Sequence, residues 1–435
     1  MRHMIPAGLC AALAIAAADS AAAQAVTFTP DHINGIYAVG ETVGWTLRGP
    51  LGMAERFTYV IRENNLTVLR QGEIDLSSGK TRLEVKLDHP GMIYARLTPE
   101  GGTPPATPPT AFDLDKLTVG AAVAPTQIAP SLPRPADFDA FWAAKLAAQA
   151  KVAINPVLTP AASDTPDVSL STVTLDALGS HVHGYLAQPT KPGKYPALVI
   201  YQYAGVYKLN PQTVTPRAAE GWIALDVDSH DMAPDQATAP QDYQHVGDDS
   251  RETSYFLAMY LRDSRALDYI QSLPNWDGRT IVVMGTSMGG QQSLVTAGLN
   301  PQRVSAVLVD VPAGADIDGE AHGRKVGYPN WPQGDAQAMA AGPYFDTVNF
   351  ASAIRAPALV AMGFIDTTCP PVGIWAAFNQ IPGAKEAVPM VWSDHNHITP
   401  QAQEVFYRRS KEVLETLRTG GGYQPDPNWA QDNHP

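Results

Sequence analysis

Residues 281–290 read IVVMGTSMGG, and this stretch decides the fold that the sequence predicts. Its first four residues are typical of a buried strand, and a tight turn centred on Ser287 leads directly into a segment, residues 291–297, that suits a helix. Gly285 and Gly289 are needed because side chains there would collide with neighbouring backbone. A strand, turn and helix in this order present a serine hydroxyl at the top of a sheet as a nucleophile, and the helix N-terminus faces developing negative charge.

The region around this turn, residues 121–420, alternates buried-type strands with helical stretches. A helix is predicted to begin near Pro135, and the last helix is predicted to run from about residue 400 to the glycines at 420–422. The predicted strands lie at 197–203, 222–226, 280–284, 306–309, 358–362 and 389–392. Together with the serine turn, this alternation predicts an α/β-hydrolase fold, a mostly parallel sheet flanked by helices.

The residues that precede this region follow a different pattern. Between residues 26 and 100, short β-type runs are separated by turn residues, and no helical period is present. We therefore predict a small all-β sandwich of the immunoglobulin-like type ahead of the α/β domain. Residues 101–109 read GGTPPATPP, so residues 101–120 are predicted to form a stiff, Pro-rich linker. Residues 421–435 are predicted to form a C-terminal tail.

The N-terminus has the pattern of a cleaved export signal. Residues 1–25 contain a short basic start, an apolar run at 9–17 and small residues around position 23. The apolar run is shorter than the ~20 residues that a spanning helix needs, and nothing later in the chain is apolar enough to cross a bilayer. We expect a secreted or periplasmic protein without a membrane span. Cys10 would leave with the signal, so Cys369 would remain without a partner for an internal disulfide.

The charge balance of the chain restricts its partners. The formal net charge is −13 at pH 7, because 43 acidic residues outnumber 30 basic ones. An acidic chain disfavours nucleic acid and anionic membrane surfaces as partners. The balance is compatible with a neutral substrate such as a small-molecule or oligosaccharide ester.

A serine nucleophile needs a base, which is in turn oriented by an acid, and in this fold the chain order is serine, acid, histidine. Asp366 follows a late predicted strand, as the acid should; Asp310 follows an earlier strand and is a rival. We favour Asp366, because Asp310 leads into Val311-Pro312, which is typical of a strand end. His395 and His397 both lie in the loop after the last strand, and the pattern alone does not choose between them.

The negative oxygen that forms during acyl transfer needs preorganised hydrogen-bond donors. One is expected from the backbone N–H of Met288, next to the nucleophile, and the other from the loop at 203–207, where Gly205 permits close approach and Val206 follows it. The histidines before the nucleophile are assigned to structural or surface roles: His181, His183 and His230.

Two polar segments, residues 229–255 and 313–347, are placed to border the site. Their aromatic residues are Tyr243, Tyr328, Trp331, Tyr344 and Phe345. These side chains either line a sugar-binding rim or belong to solvated insertions, and the sequence does not choose.

From about residue 134 to the final helix, the chain resembles the acetyl xylan esterase and cephalosporin C deacetylase family of α/β-hydrolases. The matching stretches are residues 134–142, 199–203, 263–266, the serine turn, 310–312, 366–371, 376–379 and 385–386. In that family the acid precedes Cys-Pro-Pro and the base follows 29 residues later, which implies His395 and not His397. Met288 departs from the glutamine that is usual in the family, and Val206 begins a second departure beside the acyl pocket.

The resemblance implies an acetyl esterase without metal or cofactor. Some family members assemble into rings, so a homo-oligomer is possible, and the sequence does not decide the oligomeric state of this chain. Our hypothesis is a secreted serine esterase that cleaves short-acyl esters of carbohydrates, such as acetylated xylan or xylo-oligosaccharides, through Ser287, His395, Asp366 and an acyl-enzyme. Two alternatives are a serine peptidase of the same fold and a non-catalytic glycan-binding protein on a hydrolase scaffold. The first is disfavoured because such peptidases usually carry a large propeller, which the ~75-residue front sandwich cannot form.

Overall fold

The computed structural model describes residues 26–49, 56–99, 117–396 and 400–431. The predicted export signal, most of the predicted linker and His397 lie outside these residues. In the described residues, no helix combines the length and the apolar character that crossing a membrane requires.

The front part of the chain is all-β, as predicted, and its two sheets share one core. One sheet has the order β1-β3-β6 and the other β2-β8-β7-β4-β5. Trp45 of the first sheet and Phe57 and Ile93 of the second lie in a single buried cluster. The strands are β1 Thr27–Pro30, β2 Ile36–Tyr37, β3 Thr42–Arg48, β4 Arg56–Glu63, β5 Thr67–Asp75, β6 Lys80–Lys86, β7 Gly91–Pro99 and β8 Thr118–Val123.

Strand β8 changes the predicted boundary between the two parts. The linker was expected to reach residue 120 and the α/β domain to begin at 121, but residues 118–123 pair antiparallel with β7 in the front sheet. Every residue of β8 is buried. Val119 and Ala121 pack into the front core, whereas Ala122 packs with the core of the α/β domain. Because both faces of β8 are covered, its sequence lacks the alternation that marks a half-buried strand.

The α/β part is built on a nine-stranded sheet with the order β17-β16-β15-β14-β12-β13-β11-β10-β9. The strands from β12 to β17 pair in parallel with one another, and β9, β10 and β11 add an antiparallel edge that is joined to β13. Their bounds are β9 Val157–Ala161, β10 Val168–Ala177, β11 Ser180–Pro189, β12 Tyr195–Tyr201, β13 Ile223–Val227, β14 Trp276–Thr286, β15 Ala306–Asp310, β16 Ala358–Gly363 and β17 Lys385–Met390. The predicted fold class is confirmed.

Helices cover the sheet, and the first and last begin and end close to the predicted positions. The first helix starts at Phe138, directly after Asp137. Its buried aromatic side chains, Phe138, Phe141 and Trp142, form the face that packs against the rest of the domain. The last ends at Arg418, two residues before Gly420, whose φ of 88° suits a helix end. The α-helices are α1 Phe138–Gln149, α2 Thr215–Ala219, α3 Tyr255–Ser272, α4 Met288–Leu299, α5 Ala336–Ala341, α6 Thr347–Ala351, α7 Pro371–Gln380 and α8 Pro400–Arg418.

The described part of the predicted C-terminal tail packs against the α/β domain. Tyr423 is buried, and its hydroxyl donates a hydrogen bond to Glu386 at 3.1 Å. The ring of Trp429 contacts those of Trp375 and Phe378 on α7. Residues 421–431 therefore extend the packing of this domain.

Candidate active site

The turn that carries Ser287 joins β14 to α4 at the carboxyl edge of the sheet. Ser287 has a φ of 57°, which is strained for a residue with a side chain. The turn closes because Gly285 and Gly289 lack Cβ atoms: a Cβ at Gly285 would overlap the backbone of Gly289, and one at Gly289 would overlap the carbonyl oxygen of Tyr201. The sequence-based reason for these two glycines agrees with this geometry.

Three of the predicted residues meet in a continuous hydrogen-bonded line. His395 Nε2 lies 2.9 Å from Ser287 Oγ, and His395 Nδ1 lies 2.7 Å from Asp366 Oδ2. The three residues come from loops after β14, β16 and β17. Adjacent parallel strands end at the same edge of a sheet, so residues that are 108 and 29 positions apart in sequence are brought together.

The two rival residues take different positions. Asp310 ends β15, and its carbonyl oxygen accepts a hydrogen bond from the Ser287 N–H at 2.9 Å. The carboxylate that faces His395 is that of Asp366. His397 lies outside the described residues.

The loop after β16 holds the Asp366 carboxylate in one orientation. Asp366 is 1% exposed, and its Oδ1 accepts hydrogen bonds from the backbone N–H groups of Thr368 and Cys369, both at 2.8 Å. These donors fix the orientation of the carboxylate and leave Oδ2 directed at His395. This loop is the Asp-Thr-Thr-Cys-Pro-Pro segment that carried the family resemblance.

The electrostatic environment of His395 favours its charged form. Burial opposes the imidazolium, but the Asp366 carboxylate beside Nδ1 favours it, and the pKa of His395 is raised above its ordinary value. Burial also raises the pKa of the Cys369 thiol, so this thiol is neutral at pH 7 and Asp366 supplies the stabilising charge. A buried, protonated Cys369 is an inert thiol.

The loop after β12 is held at the position where a second oxyanion donor was expected. Gly205 has a φ of 117°, its N–H donates to the Tyr243 hydroxyl at 3.1 Å, and its carbonyl oxygen lies 3.1 Å from His230 Nε2. Both backbone polar groups of Gly205 are therefore fixed. Because the Gly205 carbonyl and the Val206 N–H belong to the same planar peptide unit, these contacts also set the direction of the Val206 N–H. Met288 is the first residue of α4, and such amides have no acceptor within their own helix.

His230, which sequence analysis grouped with the structural or surface histidines, is fully buried beside this loop. Burial lowers its pKa to about 4, so the ring is neutral at pH 7. The neutral ring donates from Nε2 to the carbonyl of Gly205, and its Nδ1 accepts from the Tyr255 hydroxyl at 2.9 Å.

Two tyrosines connect the Gly205 loop to Met288, the residue after Ser287. The hydroxyls of Tyr243 and Tyr328 lie 2.7 Å apart, and they lie 3.4 and 3.2 Å from the sulfur of Met288. Sequence analysis gave these residues no such role, because they lie in loops without periodicity.

Most of the aromatic residues in the loop segments 229–255 and 313–347 neither line a sugar-binding rim nor belong to solvated insertions, the two interpretations that the sequence left open. Tyr243, Trp331, Tyr344 and Phe345 are each less than 10% exposed and belong to one buried cluster with Met288. The indole N–H of Trp331, for example, donates to the carbonyl of Ala338 at 2.6 Å. These segments therefore pack with α1 and α3 around one shared aromatic core.

An open cleft of about 460 Å³ lies beside the serine turn. Gly285 and Thr286 form part of its wall, and Tyr203 and Tyr407 line it with side chains that are more than half exposed. Arg217, Glu220 and Lys411 add polar groups. Ser287, Asp366 and His395 are not among the residues that line this cleft.

The nine-stranded sheet and the serine turn define the chain as a protein of the α/β-hydrolase class. The profile of the acetyl xylan esterase (AXE1) family matches residues 126–319 and 327–412, more than half of the chain. The chain therefore belongs to that family and is a carboxylic ester hydrolase. This result favours the esterase over the peptidase and the non-catalytic alternatives.

Individual relatives agree with this assignment. Acetyl esterase Axe7A of Xylanibacter ruminicola is 30% identical over 390 residues, which span 84% of this chain and 85% of that protein. The acetyl xylan esterase from Paenibacillus sp. R4 is 27% identical, with a TM-score of 0.58, over 66% of this chain and 98% of that one. Acetyl xylan esterase 1 from Thermoanaerobacterium sp. JW/SL YS485 has the same fold at 20% identity, with a TM-score of 0.57, over 67% of this chain and 97% of that one.

Proposed function

We propose that this protein removes acetyl groups from carbohydrates such as acetylated xylan and xylo-oligosaccharides, with Ser287, His395 and Asp366 as its catalytic triad. The observation that carries the proposal is the position of His395, which is hydrogen-bonded to Ser287 on one side and to Asp366 on the other. Family membership and the 30% identity to an acetyl esterase support acetyl as the acyl group.

In the proposed reaction, Ser287 Oγ attacks the ester carbonyl while His395 Nε2 accepts its proton. Asp366 holds the imidazole with Nε2 facing the serine and stabilises the imidazolium as it forms. His395 then returns the proton to the leaving sugar hydroxyl, and an acetyl-serine remains. Water activated by His395 releases acetate and restores Ser287.

The backbone N–H groups of Met288 and Val206 are the proposed donors to the negative oxygen of the tetrahedral intermediate. Met288 supplies a helix-terminal amide, and Val206 follows the glycine that Tyr243 and His230 hold. Donors fixed before the reaction need no reorganisation, and the loss of one typically costs about 3 kcal/mol of barrier.

Exposed aromatic side chains on the loops of the site support a carbohydrate as the alcohol part of the substrate. Tyr203 lies on the loop that contains Gly205, and Trp392 lies three residues before His395; they are 56% and 37% exposed. Tyr407 faces the cleft beside the serine turn. Flat apolar surfaces with polar edges are suited to bind sugar rings, which present both C–H faces and hydroxyls.

The first test is Ser287→Ala, assayed by the release of acetate from acetylated xylan and of nitrophenol from p-nitrophenyl acetate. We expect activity to fall on the order of 10⁶-fold, with unchanged thermal unfolding. Ser272→Ala, which removes a hydroxyl bonded to the carbonyl of Tyr269 at the end of α3, is the matched control and should remain active. Substantial turnover by Ser287→Ala would overturn the triad.

The second test compares acetate release from acetylated xylan, xylo-oligosaccharides, acetylated pectin and cephalosporin C. The proposal expects the highest kcat/KM on the xylo-oligosaccharides. A clear preference for a non-carbohydrate ester would leave the triad in place and reject the substrate class.

We also propose that the protein is exported with cleavage near residue 25, on the basis of the pattern at residues 1–25. N-terminal sequencing of the protein recovered outside the cytoplasm would identify the cleavage position. Intact residues 1–25 on the mature protein would reject this proposal. Light scattering of the same sample would determine the oligomeric state, which the sequence leaves open.

A further inference from the structure

Two histidines and an aspartate form a cluster on the antiparallel side of the large sheet, outside the candidate active site. His181 and His183 lie two positions apart on β11, so their side chains project from the same face. Asp231 reaches the same point from the loop that follows β13, the strand paired with β11. Sequence analysis assigned the two histidines to structural or surface roles.

The nitrogen and oxygen atoms of this cluster converge on one position. His183 Nε2 lies 3.0 Å and His181 Nδ1 lies 3.3 Å from the same oxygen of Asp231, and the ligand atoms of all three residues lie within 4.8 Å of one another. In a tetrahedral zinc site, bonds of about 2.0–2.1 Å place neighbouring ligand atoms about 3.3 Å apart. Small side-chain rotations would therefore suffice to place an ion between these atoms.

The neighbouring groups hold the cluster in this arrangement. The Nδ1 atom of His183 lies 3.2 Å from the hydroxyl of Thr174, its partner residue on β10, and this contact directs Nε2 towards Asp231. The other oxygen of Asp231 accepts the backbone N–H of His181 at 3.1 Å. Metal-binding histidines in proteins are typically oriented by such a contact at the nitrogen that does not bind the metal.

We propose that His181, His183 and Asp231 bind a divalent transition-metal ion of the zinc type. Two imidazole nitrogens and one carboxylate select zinc over magnesium or calcium, which prefer ligand sets made of oxygen. The side chains of His181 and Asp231 are 53% and 38% exposed, so water can complete the coordination. The bound ion would connect β11 to the loop after β13.

The position of this site gives it a structural role close to the catalytic loops. Asp231 directly follows His230, which lies 3.1 Å from the carbonyl oxygen of Gly205 in the proposed oxyanion loop. An ion bound by Asp231 would restrict the motion of the loop after β13, one residue away from the contact between His230 and Gly205. We expect metal binding to stabilise the folded protein without taking part in ester hydrolysis.

The test begins with full-length mature protein stripped with a chelator and dialysed. Titration with zinc chloride in a calorimeter should give one site per chain, and the unfolding temperature should rise with the logarithm of free zinc. Cobalt chloride should produce visible absorption bands whose intensity saturates at one equivalent. The absence of binding at millimolar zinc would overturn the proposal.

Variants distinguish zinc binding at His181, His183 and Asp231 from zinc binding elsewhere on the protein. The double variant His181→Gln, His183→Gln should abolish the one-equivalent binding and the cobalt bands but keep its esterase activity, which shows that it is folded. Thr174→Val should weaken binding about 10- to 100-fold, because it removes the contact that orients His183.

Two controls should keep full affinity. His245→Gln removes another histidine that contacts a carboxylate, 3.1 Å from Asp248, and Cys369→Ala removes the thiol at the candidate active site. Unchanged affinity in the double variant, or loss of affinity in either control, would place the ion elsewhere and reject the proposal.

Discussion

Gly120 of the front sheet packs directly against the backbone of Phe364, two residues before Asp366. A Cβ atom at Gly120 would overlap the carbonyl oxygen of Phe364 and lie 2.8 Å from its carbonyl carbon. On the same surface, a Cβ at Gly35 would lie 3.1 Å from the ring of Phe364. The front sandwich therefore contacts the segment that leads into the proposed catalytic acid, and it does so through residues without side chains.

Gly120→Ala is expected to lower both stability and activity. The added methyl group must displace backbone, at a cost of about 1–3 kcal/mol, and the displaced segment carries Asp366. Calorimetric unfolding and kcat on p-nitrophenyl acetate check both effects. Gly334→Ala, at a position with no atom within 4 Å of the added Cβ, is the control and should change neither. Wild-type values for Gly120→Ala would show that the contact with Phe364 is dispensable.

The rate should rise with pH from neutral into the alkaline range. His395 must be neutral to accept the serine proton, and the pKa of His395 is raised, so kcat/KM should fall as pH decreases through a value above the ordinary ~6.5 of histidine. A pH profile of kcat/KM measures this directly. An acidic limb centred below pH 6.5 would contradict the assigned role of Asp366.

Asp366→Asn should move that acidic limb to lower pH and reduce kcat by roughly 10⁴-fold. The variant removes the charge that raises the pKa of His395 and no longer selects the required tautomer. Asp310→Asn is the matched comparison, since Asp310 follows a neighbouring strand but does not face the Nδ1 atom of His395. A larger loss of kcat in Asp310→Asn than in Asp366→Asn would reverse the choice of acid.

Tyr243→Phe should lower kcat about 10- to 100-fold with little change in KM. The variant removes the acceptor for the Gly205 N–H and loosens the loop that precedes Val206; an unpaired buried donor costs about 1–3 kcal/mol. Tyr269→Phe removes the hydroxyl of another buried tyrosine, on α3, and should keep kcat. A fall in unfolding temperature without any change in kcat would assign Tyr243 a purely structural role.

Tyr407→Ala should raise KM for acetylated xylo-oligosaccharides about 2- to 10-fold and leave p-nitrophenyl acetate hydrolysis unchanged. The side chain is 55% exposed in the cleft beside the serine turn, and an aromatic contact contributes about 0.5–1.5 kcal/mol. Tyr407→Phe retains the ring and should behave like the wild type. Equal effects on the small ester and the oligosaccharide would show that Tyr407 does not contact the sugar.

Local patterns in the sequence were enough to predict the serine turn and most elements of the sheet. The glycines around Ser287 have a local function, since each relieves a backbone contact within the turn or with the adjacent strand. Strands β13, β15 and β16 are buried along their whole length and almost entirely apolar, so their positions could be predicted without knowledge of their neighbours. Strands β9, β10 and β11 are partly exposed and contain many polar residues, and they were not predicted from the sequence.

Other features could not be predicted because they depend on contacts between distant segments. Strand β8 follows a Pro-rich stretch, and only its partners show that the chain returns to the front sheet. The aromatic residues of the loops at 229–255 and 313–347 have no period, so their burial was not visible in the sequence. The convergence of His181, His183 and Asp231 likewise depends on the pairing of β11 with β13.

By itself, the sequence predicted the fold class, and it indicated the proposed nucleophile and a short set of candidate acids and bases, because each of these residues follows a recognisable strand. Only the tertiary structure placed Asp366 against His395, and did so through two loops that meet at the same edge of the sheet. Strand order and register decide which loop ends become neighbours, and both are set by packing across the whole domain. The residues of the site are therefore visible in the sequence, whereas their relationships belong to the folded protein.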